Sequence, residues 1–365
     1  MTVPMLKILV LTKRQYMNKD LLDDRFGRFR EIPLELGRKG HRVTGLCLSY
    51  RSREEGWMFD GPVRWKSINA GLSKISGLTR FIAQAERMSK EADVIWACSD
   101  SFYGIIGLSI ARKQRIPLVF DLYDNFESFL FAKLPLLKQL YRYAVRKSDS
   151  LTCISHPLAR LVSSYGRNGE VIVLENAVRD DLFRPMDKAA VRRDFKLPQN
   201  SRIIGTAGAL TKNRGISILF EAFAILKAKY PDIHMALAGH RDVGIPCGER
   251  IHDLGVLPLD RVAKFLNALD VGIICNDYNN FGEYCFPQKA REMMACDIPI
   301  VAAKVGSMEG LLEEHQGWLY TPNSPNDLAQ VIENRLKSRS TDYGPLPSWS
   351  DMAGVLEQIF LKLLK

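Results

Sequence analysis

Twice along this chain, short apolar runs alternate with longer amphipathic stretches, and this double alternation most narrows what it can fold into. In the first half, strands are expected at Ile8–Leu11, Arg42–Leu48, Val94–Ala97, Leu118–Phe120, Ser150–Ile154 and Val171–Leu174. Between them Gly27–Lys39, Thr79–Lys90, Tyr103–Gln114 and Leu136–Lys147 carry helical periodicity. The second half repeats the scheme, with strands at Ile203–Gly208, His234–Ala238, Val271–Ile274 and Ile298–Ala303. Its helices are expected at Ser217–Tyr230, Pro258–Leu269, Gln288–Ala295 and Pro325–Lys337. Such alternation makes a parallel sheet with helices on both faces, and 365 residues exceed one ordinary core. The expected fold class is therefore α/β, with two doubly wound domains at 1–185 and 186–347 and a polar linker from Asp181 to Ser201. Beyond a Gly/Pro/Ser-rich stretch, residues 348–365 read as a last helix, apolar at Met352, Leu356, Ile359, Phe360 and Leu363. It is expected to pack back on the first domain.

Charge is unevenly shared. Residues 1–185 hold 30 Lys/Arg against 20 Asp/Glu, and residues 186–365 hold 21 of each, so the whole net charge of +10 sits in the first half. That half is expected to meet something anionic, such as a membrane surface or a lipid diphosphate. The stretch Ser128 to Lys147, which mixes bulky apolar and basic residues, is the candidate membrane-facing segment. Nucleic acid is disfavoured, because the basic residues are not interleaved with aromatics. No run approaches a membrane span. The start of the chain reads as a first strand and not as a signal peptide, so a cytoplasmic location, peripheral on the inner membrane face, is expected. Seven widely spaced cysteines without a Cys-x-x-Cys pair read as buried reduced thiols. The histidines show no metal-ligand spacing, so no metal is expected.

Residues 281–303 carry the most chemistry. A Gly/Pro-bearing loop runs into a short helix and then an apolar strand, and a loop opening into a helix offers free N–H groups and a positive dipole end. Pro287, Lys289 and Glu292 stand at spacings of two and three. Lys289 and Glu292 are then i, i+3 neighbours on one helix face, a cation and a carboxylate fit to hold a phosphate and a ribose diol.

Further motifs fall in a fixed order around this loop. Gly205-Thr-Ala-Gly-Ala-Leu-Thr-Lys-Asn-Arg-Gly215 precedes a helix, followed by Pro231 to Gly239, Asp253-Leu-Gly255, Ala268-Leu-Asp270, and Pro287-x-Lys289-x-x-Glu292 before Ile298 to Ala302. In the first half Gly40-His-Arg-Val43 and Glu175-Asn-Ala-Val178 with Phe183 complete the set. Over about 350 residues this order resembles the GT-B glycosyltransferases, specifically the retaining, nucleotide-sugar-dependent family 4 (glycosyl transferases group 1). The resemblance implies two Rossmann-like domains facing across a cleft. It also implies transfer of a sugar from a nucleotide diphosphate sugar, UDP- ahead of GDP-, to a glycan or lipid-linked acceptor hydroxyl. The configuration would be retained and no cofactor needed, in cell-surface polysaccharide or glycolipid synthesis.

The same resemblance assigns roles. Arg214, in the place of the family's usual Lys, and Lys289 would offset the diphosphate charge. Gly208 and Gly215 would let the backbone approach, and Glu292 would accept from the ribose hydroxyls. Glu283, Tyr284 and Phe286 fall on the donor side, although Tyr284 occupies the place of the family's first Glu and Glu283 stands one position away. Ala209 replaces a second family cation. The base is expected against backbone near Leu254 to Leu257. In the first half, Tyr123 takes a place that often holds His, with Asp121, Asp124 and Glu127 leaving a strand end. Asp124 is the candidate catalytic contact to the sugar or acceptor hydroxyl, with Asp121, Tyr123 and Glu127 beside it. Two alternatives stay open: a sugar-nucleotide 2-epimerase, and a non-catalytic nucleotide- or glycan-binding protein of the same fold. A nicotinamide-dependent oxidoreductase is disfavoured, since neither half has Gly-x-Gly-x-x-Gly after its first strand.

Overall fold

Strands packed between two helical layers have no wet face, so they are apolar almost throughout. The strands Lys7–Lys13 (β1), Arg42–Ser49 (β4), Val94–Ala97 (β7) and Leu118–Leu122 (β8) show this, with Val10, Leu46, Trp96 and Phe120 fully buried. The computed structural model describes residues 4–365 apart from 17–18, 72–74, 129–133 and 339. Residues 129–133 of the candidate membrane segment thus lie outside the described residues.

The first compact unit runs to Asn176 and resumes at Trp349–Lys365. Besides the strands named, it contains Gln15–Tyr16 (β2), Lys19–Asp20 (β3), Gly56–Asp60 (β5), Val63–Asn69 (β6), Ser150–Cys153 (β9) and Val171–Val173 (β10). Its sheet has the order β10-β9-β8-β7-β1-β4-β6-β5. All neighbours are parallel except β5, which returns antiparallel along β6. The helices are Arg28–Arg38 (α1), Ile75–Ser89 (α2), Ser101–Gln114 (α3), Pro135–Lys147 (α4) and His156–Ser163 (α5). The direction of chain progression reverses between β1 and β7, the place where such sheets hold ligands.

The second unit, Ala177–Ser348, has a six-stranded, wholly parallel sheet. Its strands are Arg202–Ala207 (β11), Ile233–Ala238 (β12), Ile251–Asp253 (β13), Val271–Ile274 (β14), Ile300–Ala303 (β15) and Leu319–Tyr320 (β16), in the order β13-β12-β11-β14-β15-β16. That is third-second-first-fourth-fifth-sixth, the dinucleotide-fold order, with its switch point between β11 and β14. The helices are Lys188–Asp194 (α6), Ile216–Lys229 (α7), Leu259–Leu266 (α8), Gln288–Ala295 (α9), Ser307–Leu311 (α10) and Pro325–Lys337 (α11). One core layer gathers Phe265, Met293 and Ile300, the other Leu219, Phe223 and Leu328.

The last helix, Trp349–Leu363 (α12), packs on α1 and so belongs to the first unit, as its apolar stripe led us to expect. Leu356 and Phe360 are fully buried. His41 accepts the Leu6 N–H at Nδ1 (3.2 Å), which leaves the proton on Nε2 to be donated to Glu357 at 2.7 Å.

Two sequence expectations need correction. The first unit ends at Asn176 and not at 185, because Val178 and Phe183 are buried in the core of the second unit. The expected linker contains α6, capped by Asp187, whose side chain accepts the Ala189 N–H. Arg192 on that helix is buried and donates to Asp270 at 2.6 Å, while Lys188 adds a second bond at 3.0 Å. Burial alone would raise the Asp270 carboxyl, but the Ile203 N–H, Lys188 and Arg192 together hold it below the usual range. All seven cysteines are unpaired, six of them buried and Cys247 exposed.

Candidate functional site

At the switch point of the second unit, β11 ends in a turn that only glycine fits. Gly208 has φ +106° and its N–H bonds to Ala238 O at 2.9 Å. Gly239 (φ +144°) lies so close that a Cβ there would stand 1.7 Å from Gly208 O. The Gly239 N–H in turn donates to Gly255 O at 2.7 Å, which brings the segment expected to meet the base against the glycine turn.

The chain then forms a tight turn at Lys212–Arg214 and enters α7 through Gly215 (φ +68°). Across from it lies the loop leading into α9. Asn279 donates to Asn213 O at 2.8 Å, and Arg214 stacks 4.3 Å from the centroid of Phe281. The loop is held by Asn276 donating to Gly282 O (2.9 Å) and Ser307 donating to Cys285 O (2.6 Å). The first turn of α9 then places Lys289 beside Gly208: a Cβ built on Gly208 would lie 3.9 Å from Lys289 Cε.

The electrostatics of this corner are unusual. Burial, with the neighbouring Arg214 cation adding to it, pushes Lys289 down to about 8. Burial pushes Glu292 up to about 7, against the opposing pull of Lys289. Among the described residues, neither Arg214 nor Lys289 forms an ion pair, and the Glu292 carboxylate makes no hydrogen bond. Two adjacent cations that form no ion pair among the described residues, next to a glycine turn and a helix start, suit an anion of more than one charge.

The structure therefore brings together Gly208, Arg214, Gly215, Lys289 and Glu292. Glu283 is exposed, and Tyr284 beside it is half-buried, its hydroxyl raised by burial and by the Glu283 charge. Phe286 is buried, with Arg291 over its ring at 5.6 Å, so it packs the loop where a donor contact was expected. Sequence reasoning missed Phe281, Asn276 and Ser307, which shape the loop. Their polar and aromatic types carry no motif.

In the first unit the expected residues divide. Lys13, at the end of β1, donates to the Tyr123 hydroxyl at 2.8 Å and lies 5.1 Å from that ring's centroid. Burial pushes Lys13 down, while Asp100 and Asp124 pull it up. Its N–H donates to Ser99 Oγ at 2.8 Å, and Ser99 holds a left-handed φ of +79°. Asp124, 5% exposed, accepts the Asn125 N–H at 2.8 Å. Lys13, Ser99, Asp100, Tyr123 and Asp124 thus gather at the strand ends around this unit's switch point. Lys13 went unnoticed in sequence, where it looked like an ordinary basic residue after an apolar run.

Asp121 and Glu127 are corrected. Asp121 is fully buried, accepting from Arg28 Nη2 (2.9 Å) and Thr152 (2.6 Å), so it cannot meet a substrate. Glu127 is clamped by Arg142 at 2.6 and 3.0 Å and by Lys138 at 3.2 Å, which hold its carboxyl low in spite of burial. Among the described residues, no three His, Cys, Asp or Glu are grouped to hold a metal ion. No described helix is long and apolar enough to cross a membrane.

These two switch-point sites on two Rossmann-like units define a protein of the GT-B architecture. The sequence matches the profile described as "Glycosyl transferases group 1" over residues 201–338, and that described as "Glycosyltransferase Family 4" over residues 30–182. The chain belongs to the group 1 glycosyltransferases. Over 208 residues it is 27% identical to a D-inositol 3-phosphate glycosyltransferase 2 of Catenulispora acidiphila, a match covering 51% of this chain and 48% of that protein. The chain thus spans about half the length of the curated relatives it matches. In fold it is similar to sucrose-phosphate synthase from Thermosynechococcus elongatus (TM-score 0.78, 16% identity, 98% of this chain and 99% of that one). It is also similar to Anabaena HepE in complex with UDP (TM-score 0.70, 18% identity, 98% and 97%).

Proposed function

We propose that this protein transfers a sugar from a nucleotide diphosphate sugar to a hydroxyl of a glycan or lipid-linked acceptor, in cell-surface polysaccharide or glycolipid synthesis. The observation that carries this reading is the pair of cations without an ion-pair partner among the described residues, Arg214 and Lys289, at the switch point beside Gly208. As the sugar leaves, negative charge collects on the diphosphate, and cations fixed in advance lower that barrier without reorganising. They supply this charge without a metal ion or other cofactor. Glu292, buried and without a hydrogen-bond partner among the described residues, is suited to accept from the two ribose hydroxyls. A uridine donor is favoured by analogy, since HepE of the same fold has been solved with UDP and with UDP-glucose. Retention of configuration is expected from family membership. We assign the Lys13, Tyr123 and Asp124 group to the acceptor side, with Asp124 as the contact to the sugar or the acceptor hydroxyl.

The pH dependence follows with its sign. Glu292 must be ionised to accept from the ribose, so it fails below about 7. Lys289 must be protonated to meet phosphate, so it fails above about 8. The profile of kcat/KM for UDP release from a UDP-sugar is therefore expected to be a narrow bell, rising through the first value and falling through the second. Lys289→Arg should abolish the alkaline limb, because a guanidinium keeps its proton. A profile flat from about pH 6 to about pH 9, roughly one unit outside each value, would remove both residues from the site, and an alkaline limb unchanged in Lys289→Arg would remove Lys289.

An anionic membrane surface is the proposed location of the acceptor. It is supported by α4, which exposes Leu136, Leu140 and Tyr143, with Leu134 just before it, among Lys138, Arg142, Arg146 and Lys147. Sedimentation with anionic vesicles should carry the protein down at low salt and release it at high salt. Equal binding to neutral vesicles would contradict the charge-based attachment.

A further inference from the structure

A second cation-rich cavity lies in the first unit, at the opposite end of its sheet from the Lys13 group. It has a volume of about 350 Å³ and is formed by the early residues of β1, β4 and β6 together with the last turns of α2. Its charged lining is Lys7, Arg42, Arg64, Lys66 and Arg87, against the single carboxylate of Glu91. Six residue steps along β1 separate Lys7 from Lys13, which is about 20 Å, so one small ligand cannot occupy both ends.

Register shows why these cations crowd. Lys7 lies beside Arg42 on adjacent strands, Thr44 beside Arg64, and Arg64 and Lys66 share one face of β6. Like charges placed side by side on a sheet repel, and Glu91 reaches only Arg42, at 3.8 Å between two exposed side chains. The cations are also held in place. The guanidinium of Arg64 lies 4.8 Å and the ammonium of Lys66 5.4 Å from the ring centroid of Trp57, on the edge strand β5. Arg64 Nε is buried and has no hydrogen-bond partner among the described residues. Solubilising charge on a flat surface would show none of these features: a concavity, an orphaned buried donor and an aromatic plate fixing two cations.

We propose that this cavity is a second anion site, which takes a small phosphorylated molecule bearing at least two negative charges, such as a diphosphate or a sugar phosphate. Its size is that of ordinary small-ligand pockets. Arg64 and Arg42 supply forked donors for phosphate oxygens, and Lys7, Lys66 and Arg87 supply point charges. Bound anion also relieves the repulsion built into β1, β4 and β6, so occupancy stabilises the first unit.

The test uses pyrophosphate as the probe, with the full chain carrying Arg214→Ala and Lys289→Ala so that the proposed donor site no longer contributes. Calorimetric titration at fixed ionic strength is expected to show saturable binding and a raised melting temperature. Adding Arg64→Gln and Lys66→Gln should weaken that binding at least about tenfold, the loss of one charge-assisted contact or more. Should those two changes disturb β6, Arg42→Gln with Arg87→Gln, both exposed and neither on β6, provides an independent pair with the same expected loss. Absence of pyrophosphate binding, binding unchanged in both variant pairs, or binding only to phosphatidic-acid vesicles with none to soluble pyrophosphate would each overturn the proposal. Because the donor-site residues are already replaced, none of these outcomes depends on the reading of that site.

Discussion

Replacing Arg214 with Ala is expected to lower kcat for sugar transfer about 100- to 1000-fold, which corresponds to roughly 3–4 kcal/mol of lost transition-state stabilisation. The guanidinium lies against Phe281 and pairs with no carboxylate among the described residues, so its removal leaves no orphaned partner among them. The fold should therefore survive, and the loss should appear in turnover and not in melting temperature. Lys289→Ala is expected to cost a similar factor, with one difference. Lys289 is what opposes the upward push of burial on Glu292. Without it Glu292 stays protonated to higher pH, so ribose contact weakens as well and KM should rise. Both residues are proposed to act on one diphosphate, so the double variant should lose less than the product of the single losses. Unchanged turnover in either single variant, measured as nucleotide diphosphate release, would exclude it from leaving-group stabilisation.

The largest stability effect is expected at Arg28. Its side chain and that of Asp121 are both fully buried, and Arg28 also donates to Leu174 O at 3.0 Å and Asn176 Oδ1 at 3.3 Å. It thereby ties α1 to β8 and to the segment that ends the first unit. Burial raises the Asp121 carboxyl, and Arg28 and Thr152 are what draw it back. Arg28→Met would leave a carboxylate in the core with only Thr152, at a cost of about 3–5 kcal/mol. A carboxyl whose folded pKa is raised above its unfolded value costs stability as pH climbs past the unfolded value. The deficit of Arg28→Met should therefore shrink in acid, where Asp121 takes a proton, and grow towards neutral pH. Arg28→Met combined with Asp121→Leu should recover much of the loss, since well-packed apolar replacements of buried pairs are often tolerated. Urea midpoints across a pH series give the comparison. A deficit below about 1 kcal/mol, typical of exposed pairs, or one that deepens in acid would contradict this account.

Much of the fold could be read in the sequence because parallel strands announce themselves. Val94–Ala97 and Val271–Ile274 are observed with the expected bounds, as are the helices Gln288–Ala295 and Pro325–Lys337. The β5–β6 hairpin was missed for a physical reason. Val63, Trp65 and Ser67 point inward while Arg64 and Lys66 point outward, so this half-exposed strand never forms an apolar run. The helix α6 was hidden because its anchoring contact is polar: Arg192 on Asp270, not a hydrophobic stripe. The site shows the same contrast. Lys289 and Glu292 were visible because one helical turn alone brings them together. The neighbourhood of Lys289 and Gly208, and the Lys13–Tyr123 contact across β1 and β8, depend on strand order, which one-dimensional spacing does not contain. Asp121 and Glu127 misled because a carboxylate at a strand end looks the same in sequence whether it meets a ligand or an arginine of its own chain.

Arg214 and Lys289 are proposed to hold the diphosphate of a nucleotide sugar. Calorimetric titration of the intact protein with UDP-glucose, UDP and UMP tests this proposal most directly. UDP-glucose and UDP are expected to bind, UMP to bind at least about tenfold more weakly, and Lys289→Ala to erase this preference by removing a charge-assisted phosphate contact. Equal affinity for UMP and UDP, or a preference that survives in Lys289→Ala, would contradict it.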